Sequence, residues 1–404
     1  MVSQFCFASN HRNCFAESLF ISKNSFKLNL LVIIFSGIAI LYLIVTGWIT
    51  KKLSKFKFSK QKLNLEDELT NFSLLVSFRN EADRLPYLLQ SISEIDYSLD
   101  KFEIILVDDH SSDMSRTEMN DLVNKFNVNI HLFHLSDVGL STKKHAVKYG
   151  VNQASGEYIL TTDADCILPI GILKAHHLQI IDQQPDLIAG AVSFIKKNTF
   201  LSQFQYYDFM AIQAVSMSCM IQGQPIANNA AHMSFKRSAF LESDPYKKNL
   251  NIASGDDVFL LEKFIQMKLK IRYLEFSEVV LSASQESFSA LINQRKRWFL
   301  KSKHVKNRTA KRLGLILFLG QLNMIFGFIL LFFLNQIELI FSFYIIAKFV
   351  IDYRLLNEFS KKFHLGFCAK ELLLFYIVYP FSLFIFIFAV LNKDYSWKSR
   401  QFKF

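Results

Sequence analysis

The stretch TTDADC, residues 161–166, places two carboxylates, Asp163 and Asp165, two positions apart after the apolar run GEYIL. Side chains alternate along a strand, so residues i and i+2 lie on the same side and both carboxylates should face one spot. At a separation of about 6 Å and an effective dielectric of about 20, their repulsion amounts to roughly 3 kcal/mol. A bound cation would relieve this repulsion, so the spacing predicts a cation site at the end of a buried strand.

Two further acidic pairs also follow apolar or glycine-containing stretches. Asp108 and Asp109 end EIILVDD, and Asp256 and Asp257 stand in SGDDVFLLEKF. Three acidic pairs in one domain repel one another unless cations are present. Mg²⁺ and Mn²⁺ take oxygen ligands, often only one or two carboxylates, and complete their shell with substrate phosphate oxygens. The pattern therefore indicates Mg²⁺ or Mn²⁺ as a cofactor and a nucleoside-diphosphate substrate.

Each acidic pair also has a purely structural interpretation. Asp108 and Asp109 match turn formers or a helix cap. Residues 254–257, SGDD, resemble a capping box in which an acidic residue of the first turn meets the helix dipole. A DxD triplet by itself is common in solvated loops. The chemical interpretation therefore rests on the order and setting of the three pairs together.

The stretch QRKRW, residues 294–298, combines groups that suit a phosphate and a sugar. Gln294, Arg297 and Trp298 have i, i+3, i+4 spacing and share one face of a helix. Arginine offers planar bidentate donors for phosphate oxygens, and tryptophan offers a flat apolar surface. A basic-aromatic belt beside a membrane is the alternative. That belt would account for the other cations nearby, Arg295, Lys296, Lys301 and Lys303.

The elements that position these groups follow from the alternation of apolar runs with amphipathic stretches over residues 70–310. This alternation predicts an α/β fold with a largely parallel sheet and helices on both faces. Ligands of such sheets collect at the carboxyl ends of the strands. Strands are predicted at 72–78, 103–109, 129–135 and 157–163, and helices at 82–95, 114–126 and 141–153.

Other metal-ligating residue types are scattered. The five cysteines form no CxxC motif, which excludes a disulfide framework and a cysteine-based zinc site and fits a reducing compartment. The adjacent His176 and His177 are interpreted as surface helix residues rather than ligands.

Composition indicates a soluble domain combined with membrane segments. Of the 404 residues, 51% are hydrophobic, 42 are phenylalanine and 20% are charged. The net charge of +11 collects at 51–62 and 295–312, beside apolar segments. Lysine and arginine at such positions mark the cytoplasmic side of a membrane, so we expect membrane lipids and no nucleic acid as partners.

The chain divides by hydropathy into five parts. An N-terminal segment (1–27) precedes a transmembrane helix (28–50) whose N-terminus is expected outside and whose Lys51 is expected inside. After the domain at 70–310, a C-terminal transmembrane region (313–391) and a basic tail (392–404) follow. The short stretch 337–351, which contains Lys348, either spans or lies at the interface, so the region holds two or three spans. That alternative leaves the side of the C-terminus open.

In this order the motifs resemble those of membrane-bound family 2 glycosyltransferases with a GT-A fold. This group contains cellulose, chitin, hyaluronan and poly-N-acetylglucosamine synthases. The resemblance covers residues 70–310 and implies a GT-A catalytic domain, Rossmann-like with a mostly parallel sheet, flanked by transmembrane helices. It rests on SFRNE (77–81), VDDHSSD (107–113), TKKHAVKYG (142–150), TTDADC (161–166), SGDDVFLLEKF (254–264) and QRKRW (294–298).

The resemblance also implies roles for ten residues. Two positions depart from the usual family pattern, since His232 stands where asparagine is common and Ala230 where glycine is common. The resemblance implies that the donor is bound by Glu81, Asp109, Lys143 and Asp163, and that the metal is bound by Asp165. It implies that Asp257 is the general base and that Asp256 stands beside it in place of the usual glutamate. It also implies that the diphosphate and the acceptor are framed by Gln294, Arg297 and Trp298.

Three functions stay open. The first is inverting transfer of one sugar, or a few, from a UDP-sugar to a lipid-linked or envelope glycan acceptor. The second is a processive synthase of a β-linked hexose or N-acetylhexosamine polymer, which QRKRW favours and the small number of spans opposes unless a partner subunit or a second copy completes a pore. The third is a non-catalytic nucleotide-binding membrane scaffold, which the intact acidic residues oppose. The expected location is a bacterial-type inner or plasma membrane, with the catalytic domain in the cytoplasm.

Overall fold

The computed structural model describes residues 5–61, 68–113, 128–250, 255–302, 305–331, 338–391, 395–397 and 400–402, with side chains for those between 29 and 389. The chain forms two compact units. The first comprises Met1–Gly47 and Leu313–Asp352, and the second comprises Trp48–Arg312 and Tyr353–Phe404. The helix predicted at 114–126, together with Ser254 and Lys303, lies outside the described residues.

Helices and strands alternate over residues 72–302, which belong to the second unit, and further helices precede and follow this stretch of the chain. The helices are α1 (Phe5–Lys55), α2 (Leu85–Ser93), α3 (Lys143–Gln153), α4 (Ile172–Gln183), α5 (Phe200–Met220), α6 (Arg237–Ser243), α7 (Asp256–Gln266), α8 (Phe288–Ser302), α9 (Arg308–Leu331), α10 (Glu338–Lys362) and α11 (Ala369–Leu391). The strands are β1 (Phe72–Phe78), β2 (Phe102–Asp108), β3 (Asn129–His134), β4 (Tyr158–Asp163), β5 (Cys166–Ile167), β6 (Leu187–Ala189), β7 (Ala191–Phe194), β8 (Met233–Lys236), β9 (Ile271–Tyr273), β10 (Val279–Ser282), β11 (Tyr395–Trp397) and β12 (Arg400–Phe402).

The central sheet has seven strands in the order β3-β2-β1-β4-β8-β6-β9. The pairs among β1, β2, β3 and β4 are parallel, β8 is antiparallel to both of its neighbours, and β6 pairs with β9 in parallel. A smaller sheet has the order β5-β10-β7. The predicted α/β fold with a mostly parallel sheet is confirmed.

Burial on both faces explains why the first strands form. All seven residues of β2 are buried, and so are six of the seven in β1. Such near-continuous apolar strands are typical of parallel sheets that helices cover on both sides. Helix α3 packs on these strands at Gly150, where a Cβ atom would lie 2.3 Å from Leu75 Cδ1. The glycine therefore permits the close approach of α3 that brings Lys143 to the end of the sheet.

The predicted elements agree with the observed ones to within a few residues. Strand β1 matches at both ends, and α3 begins two residues later than predicted. Helix α2 is shorter than the predicted 82–95 because Pro86 occupies its first turn. Proline fits there because the backbone N–H groups of a first turn have no acceptor within the helix.

The prediction that His176 and His177 are surface residues is wrong. Both side chains are fully buried in α4. Burial is tolerated because ring nitrogens find partners: His177 Nδ1 accepts the Thr70 backbone N–H at 3.3 Å, and His176 Nδ1 lies 2.8 Å from Ser234 Oγ. The two histidines are therefore core groups.

Among the described residues, three helices are long and apolar enough to cross a membrane, namely Asn29–Lys55, Arg308–Leu331 and Ala369–Ala389. Helix α10 is not one of them and extends well beyond the predicted stretch 337–351. Within the first unit, Lys348 Nζ lies 2.6 Å from Asp352 Oδ2, and the Tyr42 hydroxyl donates to Asp352 Oδ1 at 2.8 Å. Lys348 is thus a buried, paired cation.

The third apolar helix, α11, is attached to α5 within the second unit. The Tyr207 hydroxyl donates to Glu371 Oε2 at 2.9 Å, and Lys196 Nζ lies 2.5 Å from the same oxygen. The Tyr206 hydroxyl donates to the Gly366 carbonyl at 2.8 Å. These polar contacts at the start of α11 fix it to the domain that holds the parallel sheet.

Candidate active site

One cavity of about 620 Å³ lies in the second unit at the ends of the parallel strands. Its wall includes every residue to which the sequence assigns a role, contributed by the segments after β1, β2 and β4 and by α3, α7 and α8. These residues are Glu81, Asp109, Lys143, Asp163, Asp165, Asp256, Asp257, Gln294, Arg297 and Trp298.

Strand register brings the first acidic groups together. Ser77 of β1 pairs with Asp163 of β4, and Phe78 pairs with Asp108 of β2. The next residue, Asp109, donates its N–H to the Phe78 carbonyl at 2.8 Å. Its Oδ1 accepts the backbone N–H of Thr142 at 3.1 Å, which joins the end of β2 to the start of α3. Three parallel strands thus deliver their terminal groups to one edge of the sheet.

Lys143 forms the centre of a buried charge cluster. Its Nζ lies 2.6 Å from Asp163 Oδ1 and 3.2 Å from Asp256 Oδ2. Burial by itself lowers the pKa of Lys143, but the Asp163 and Asp256 carboxylates hold that pKa above its usual value. Burial likewise raises the pKa of Asp256, but Lys143 and Lys301 outweigh this effect and the pKa lies below its usual value. Lys143 and Asp256 therefore stay ionised near neutral pH.

Helix α7 presents its first turn to the cavity. Gly255 precedes it with φ +96°, a backbone conformation that L side chains rarely adopt. Asp256 and Asp257 occupy the first turn, where the helix dipole favours negative charge. Asp257 Oδ1 accepts the Val258 N–H at 2.8 Å, and Lys301 Nζ lies 3.0 Å from Oδ2 and 3.2 Å from Oδ1. Asp257 is thereby held against the end of α8.

Helix α8 supplies a further part of the cavity wall, and one of its basic residues does not fit the membrane-belt alternative. Arg295, which the alternative of a membrane belt would have accounted for, is buried and paired with Asp208 of α5. Its guanidinium carbon lies 4.2 Å from the centre of the Trp298 ring. This position follows from packing against α5, which contributes both Asp208 and Phe209, the latter 6.0 Å from the Trp298 ring. Arg295 therefore holds Trp298 in place at the cavity wall.

Three basic residues of the cavity wall, Arg79, Arg84 and Lys301, were not predicted as site residues. Arg84 lies 3.5 Å from Glu81 Oε2 and 4.0 Å from Asp165 Oδ2. Lys301 contacts Asp257, although the belt interpretation accounted for it. The spacing of Lys301, seven residues after Gln294 on the same helix face, is the signal that could have identified it. Arg84 carries no comparable signal.

The acidic groups fit a divalent cation of the kind that the sequence predicts. The side chains of Asp163 and Asp165 remain 34% and 21% exposed and line the cavity. Among the described residues, no group of three or more histidine, cysteine, aspartate or glutamate side chains could hold a metal ion by itself. One or two carboxylates completed by substrate phosphates are the usual environment of Mg²⁺, so the donor set fits Mg²⁺ or Mn²⁺ in a donor complex.

His232, the unusual residue near β8, lies behind the cavity wall. It is fully buried, its Nδ1 lies 2.8 Å from the Ala191 carbonyl oxygen, and its Nε2 lies 3.1 Å from His176 Nε2. A Cβ atom on Gly190, which lines the cavity, would lie 2.3 Å from the His232 ring. His232 therefore supports the wall through Gly190.

Comparison with known proteins identifies the domain. The profile of Glycosyl transferase family 2 matches residues 73–241. A poly-β-1,6-N-acetyl-D-glucosamine synthase from Staphylococcus aureus is 24% identical over 241 residues, covering 57% of this chain and 54% of the synthase. A probable glycosyltransferase from Sulfolobus acidocaldarius is 29% identical over 143 residues, covering 35% of this chain and 30% of that protein. The chain spans about half the length of the synthases it matches.

A solved structure shows the same fold. The mannosyltransferase PcManGT from Pyrobaculum calidifontis, in complex with GDP-Man and Mn²⁺, superposes with a TM-score of 0.53 at 16% identity. The match covers 89% of this chain and 98% of the mannosyltransferase. The resemblance inferred from the motifs is confirmed by the family profile and by this fold. Residues 73–241 of the chain therefore match family 2 glycosyltransferases, and the domain that contains them has the GT-A fold.

Proposed function

We propose that the protein is a membrane-bound inverting glycosyltransferase that moves a sugar from a UDP-sugar to a hydroxyl of a lipid-linked or envelope glycan acceptor. The observation that supports this best is that all ten residues given roles from the sequence line one cavity of about 620 Å³. That volume suits a nucleotide-sugar, and the carboxyl ends of parallel strands are where such sheets hold ligands.

Donor binding uses the side of the cavity formed by β1, β2 and β4. Glu81 and Asp109 hold the nucleoside, and Lys143 and Asp163 meet the diphosphate and sugar. Asp165 would hold Mg²⁺ or Mn²⁺, which supplies positive charge to the diphosphate as it leaves. The protein adds positive charge beside the diphosphate through basic side chains of the cavity wall, among them Lys143, Arg297 and Arg84.

The acceptor approaches from the side of α7 and α8. Asp257 takes the proton of the acceptor hydroxyl while that oxygen attacks the anomeric carbon, and the bond to the UDP oxygen breaks on the opposite face. A positioned base contributes typically about 10²–10⁴-fold to the rate. One direct displacement inverts the anomeric centre, so an α-linked donor yields a β-linked product. Trp298 offers a flat apolar surface for a sugar ring.

The first prediction concerns Asp257→Asn. This variant should lose sugar transfer by a factor of about 10²–10⁴ because the amide cannot accept the proton. Affinity for UDP should change by less than about twofold, since the contacts to the nucleotide lie elsewhere. UDP release from a panel of UDP-sugars in nanodiscs, with Mn²⁺ and membrane lipid, measures the first quantity, and calorimetric UDP titration measures the second. Asp182→Asn, an exposed aspartate of α4, is the control and should behave as the wild-type protein.

Full turnover by Asp257→Asn would remove Asp257 as the base. Nucleotide binding without UDP release by the wild-type protein under every acceptor condition would favour the scaffold interpretation.

A second candidate function is supported by the staphylococcal relatives, which are named as poly-β-1,6-N-acetyl-D-glucosamine synthases. On this proposal the donor is UDP-N-acetylglucosamine and the product is a polymer. The three apolar helices found among the described residues are few to line a channel for a polymer, so on this proposal a partner subunit or a second copy would complete it. Products made from UDP-N-acetylglucosamine distinguish the two functions by mass. One or a few added sugars support single transfer, and a long ladder supports processive synthesis.

A further inference from the structure

Lys301 lies on the same face of α8 as the three residues assigned to the diphosphate and acceptor. Positions 294, 297, 298 and 301 have i, i+3, i+4, i+7 spacing, which places them along one stripe of a helix. All four side chains line the cavity. The active face of α8 therefore extends one turn beyond QRKRW.

Lys301 contacts the carboxylate of Asp257. Its Nζ lies 3.0 Å from Asp257 Oδ2 and 3.2 Å from Asp257 Oδ1. Asp257 Oδ1 also accepts the Val258 N–H at 2.8 Å. The other lysine of the cavity wall, Lys143, contacts Asp163 and Asp256 instead. Both members of the Lys301–Asp257 pair are largely buried, with 20% and 11% of the side chains exposed.

The contacts of Asp257 determine how many acceptor positions of its carboxylate remain available to a substrate. An ionised carboxylate has about four lone-pair positions, two on each oxygen. Lys301 engages both oxygens and Val258 takes a further position on Oδ1. One position on Oδ2 remains for a hydroxyl donor in the cavity. The carboxylate is thus held in a single orientation with one reactive position.

We propose that Lys301 is a positioning residue that fixes the orientation of Asp257, so that Oδ2 faces the hydroxyl of the incoming acceptor. The inference rests on the proposed function, because the orientation of Asp257 affects turnover only if Asp257 is the base. Lys301 acts through Asp257 and does not bind the donor. A purely structural ion pair between α7 and α8 is the alternative, and it would affect stability without a selective effect on turnover.

The test compares Lys301→Met with Lys301→Arg and with Lys296→Met. Lys296 stands on α8 but does not line the cavity, so its replacement removes the same charge from the same helix. Turnover is followed as UDP release from the UDP-sugar that the wild-type protein uses fastest, with Mn²⁺ and total membrane lipid. Nucleotide affinity is measured separately by titration with UDP and Mn²⁺, which also shows that each variant is folded.

Lys301→Met should lower kcat by about 10–100-fold, the usual cost of a misplaced catalytic group. Its donor KM and UDP affinity should stay within about twofold of the wild-type values. Lys301→Arg should recover much of the lost kcat, because guanidinium can also engage both carboxylate oxygens. Lys296→Met should match the wild-type protein.

Three outcomes would overturn the inference. An unchanged kcat in Lys301→Met would make the pair structural. A parallel loss of UDP affinity would assign Lys301 to donor binding, and failure of Lys301→Arg to recover any turnover would show that charge at this position does not orient Asp257. If wild-type protein and Lys296→Met release no UDP from any UDP-sugar, the proposed function itself fails. If the wild-type protein and Lys296→Met release UDP and Lys301→Met is equally active, only the proposed role of Lys301 is contradicted.

Discussion

At the scale of residues, the candidate site pairs its carboxylates with cations of the chain. Lys143 lies between Asp163 and Asp256, and Arg84 lies near Asp165. The repulsion expected between Asp163 and Asp165 is therefore offset by neighbours within the protein. The case for a metal ion consequently rests on the chemistry of a diphosphate beside partly exposed carboxylates and not on repulsion alone.

A prediction at this scale concerns Asp165→Ala. Removal of this carboxylate should weaken the Mn²⁺-dependent binding of UDP by at least about tenfold, or about 1.4 kcal/mol. Wild-type protein and variant should become alike when EDTA removes the metal, since the lost group acts through the ion. Calorimetric titration with UDP, with Mn²⁺ or with EDTA, measures both quantities.

Asp182→Ala, which removes an exposed carboxylate of α4, should retain the full metal dependence. Equal dependence on Mn²⁺ in Asp165→Ala and wild-type protein would place any ion elsewhere.

At the scale of elements, a buried histidine pair joins α4 to the segment before β8. His176 and His232 contact each other through their Nε2 atoms at 3.1 Å, and Ser234 and the Ala191 carbonyl engage their Nδ1 atoms. Burial lowers the pKa of His232 to about 4 and that of His176 well below its usual value. Both rings are neutral in the folded protein at pH 7.

The pH dependence of stability follows from this depression of the pKa. The unfolded chain binds protons at these positions below pH 6.5, whereas folded His232 does so only near pH 4. Stability present above pH 6.5 is therefore lost as the pH falls toward 4, by about 3 kcal/mol for His232. His232→Asn should show a smaller fall in Tm between pH 7 and pH 4.5 than the wild-type protein. Thermal unfolding in detergent at several pH values measures this difference.

The control for that measurement is His364→Asn, since His364 is exposed. It should keep the wild-type pH dependence. Identical slopes for His232→Asn and wild-type protein would show that the histidine pair does not drive the acid sensitivity.

At the scale of the whole molecule, the described part of the chain has three helices apolar enough to span a membrane beside the domain that matches the family 2 profile. The lysines at 51–60 lie in the last turns of the first of these helices and directly after it, and lysine and arginine at such ends favour the cytoplasmic side. We therefore predict that the domain faces the cytoplasm. In a bacterial host, green fluorescent protein fused after Lys60 should fluoresce, and alkaline phosphatase at that site should be inactive.

The same two reporters fused after Asn335, beyond the second apolar helix, should give the opposite result, because one further crossing reverses the side. Active phosphatase after Lys60 would contradict the predicted orientation. A pair of fusions at Phe404 reports whether α10 crosses the membrane, since that crossing changes the side of the C-terminus.

Much of the fold and of the candidate site could be predicted because its signals are local. Strands β1, β2 and β4 are recognisable as buried apolar runs, and acidic groups stand at the ends of β2 and β4. Since parallel strands end at a common edge, the positions of Asp109, Asp163 and Asp165 in the sequence suffice to place them together. The short strands β5 to β7 and β9 could not be predicted, because two to four residues carry no readable period.

By itself, then, the sequence determined the α/β class, the carboxylates of the cavity and the apolar helices, since each depends on the spacing or composition of nearby residues. Tertiary structure alone decided which cations neutralise which carboxylates. Arg295 pairs with Asp208 and Lys301 with Asp257, although the alternative of a membrane belt would have accounted for both cations. It also decided that His176 and His177 are buried. The physical reason is that ion pairing and burial depend on contacts between residues up to about ninety positions apart, which local patterns do not encode.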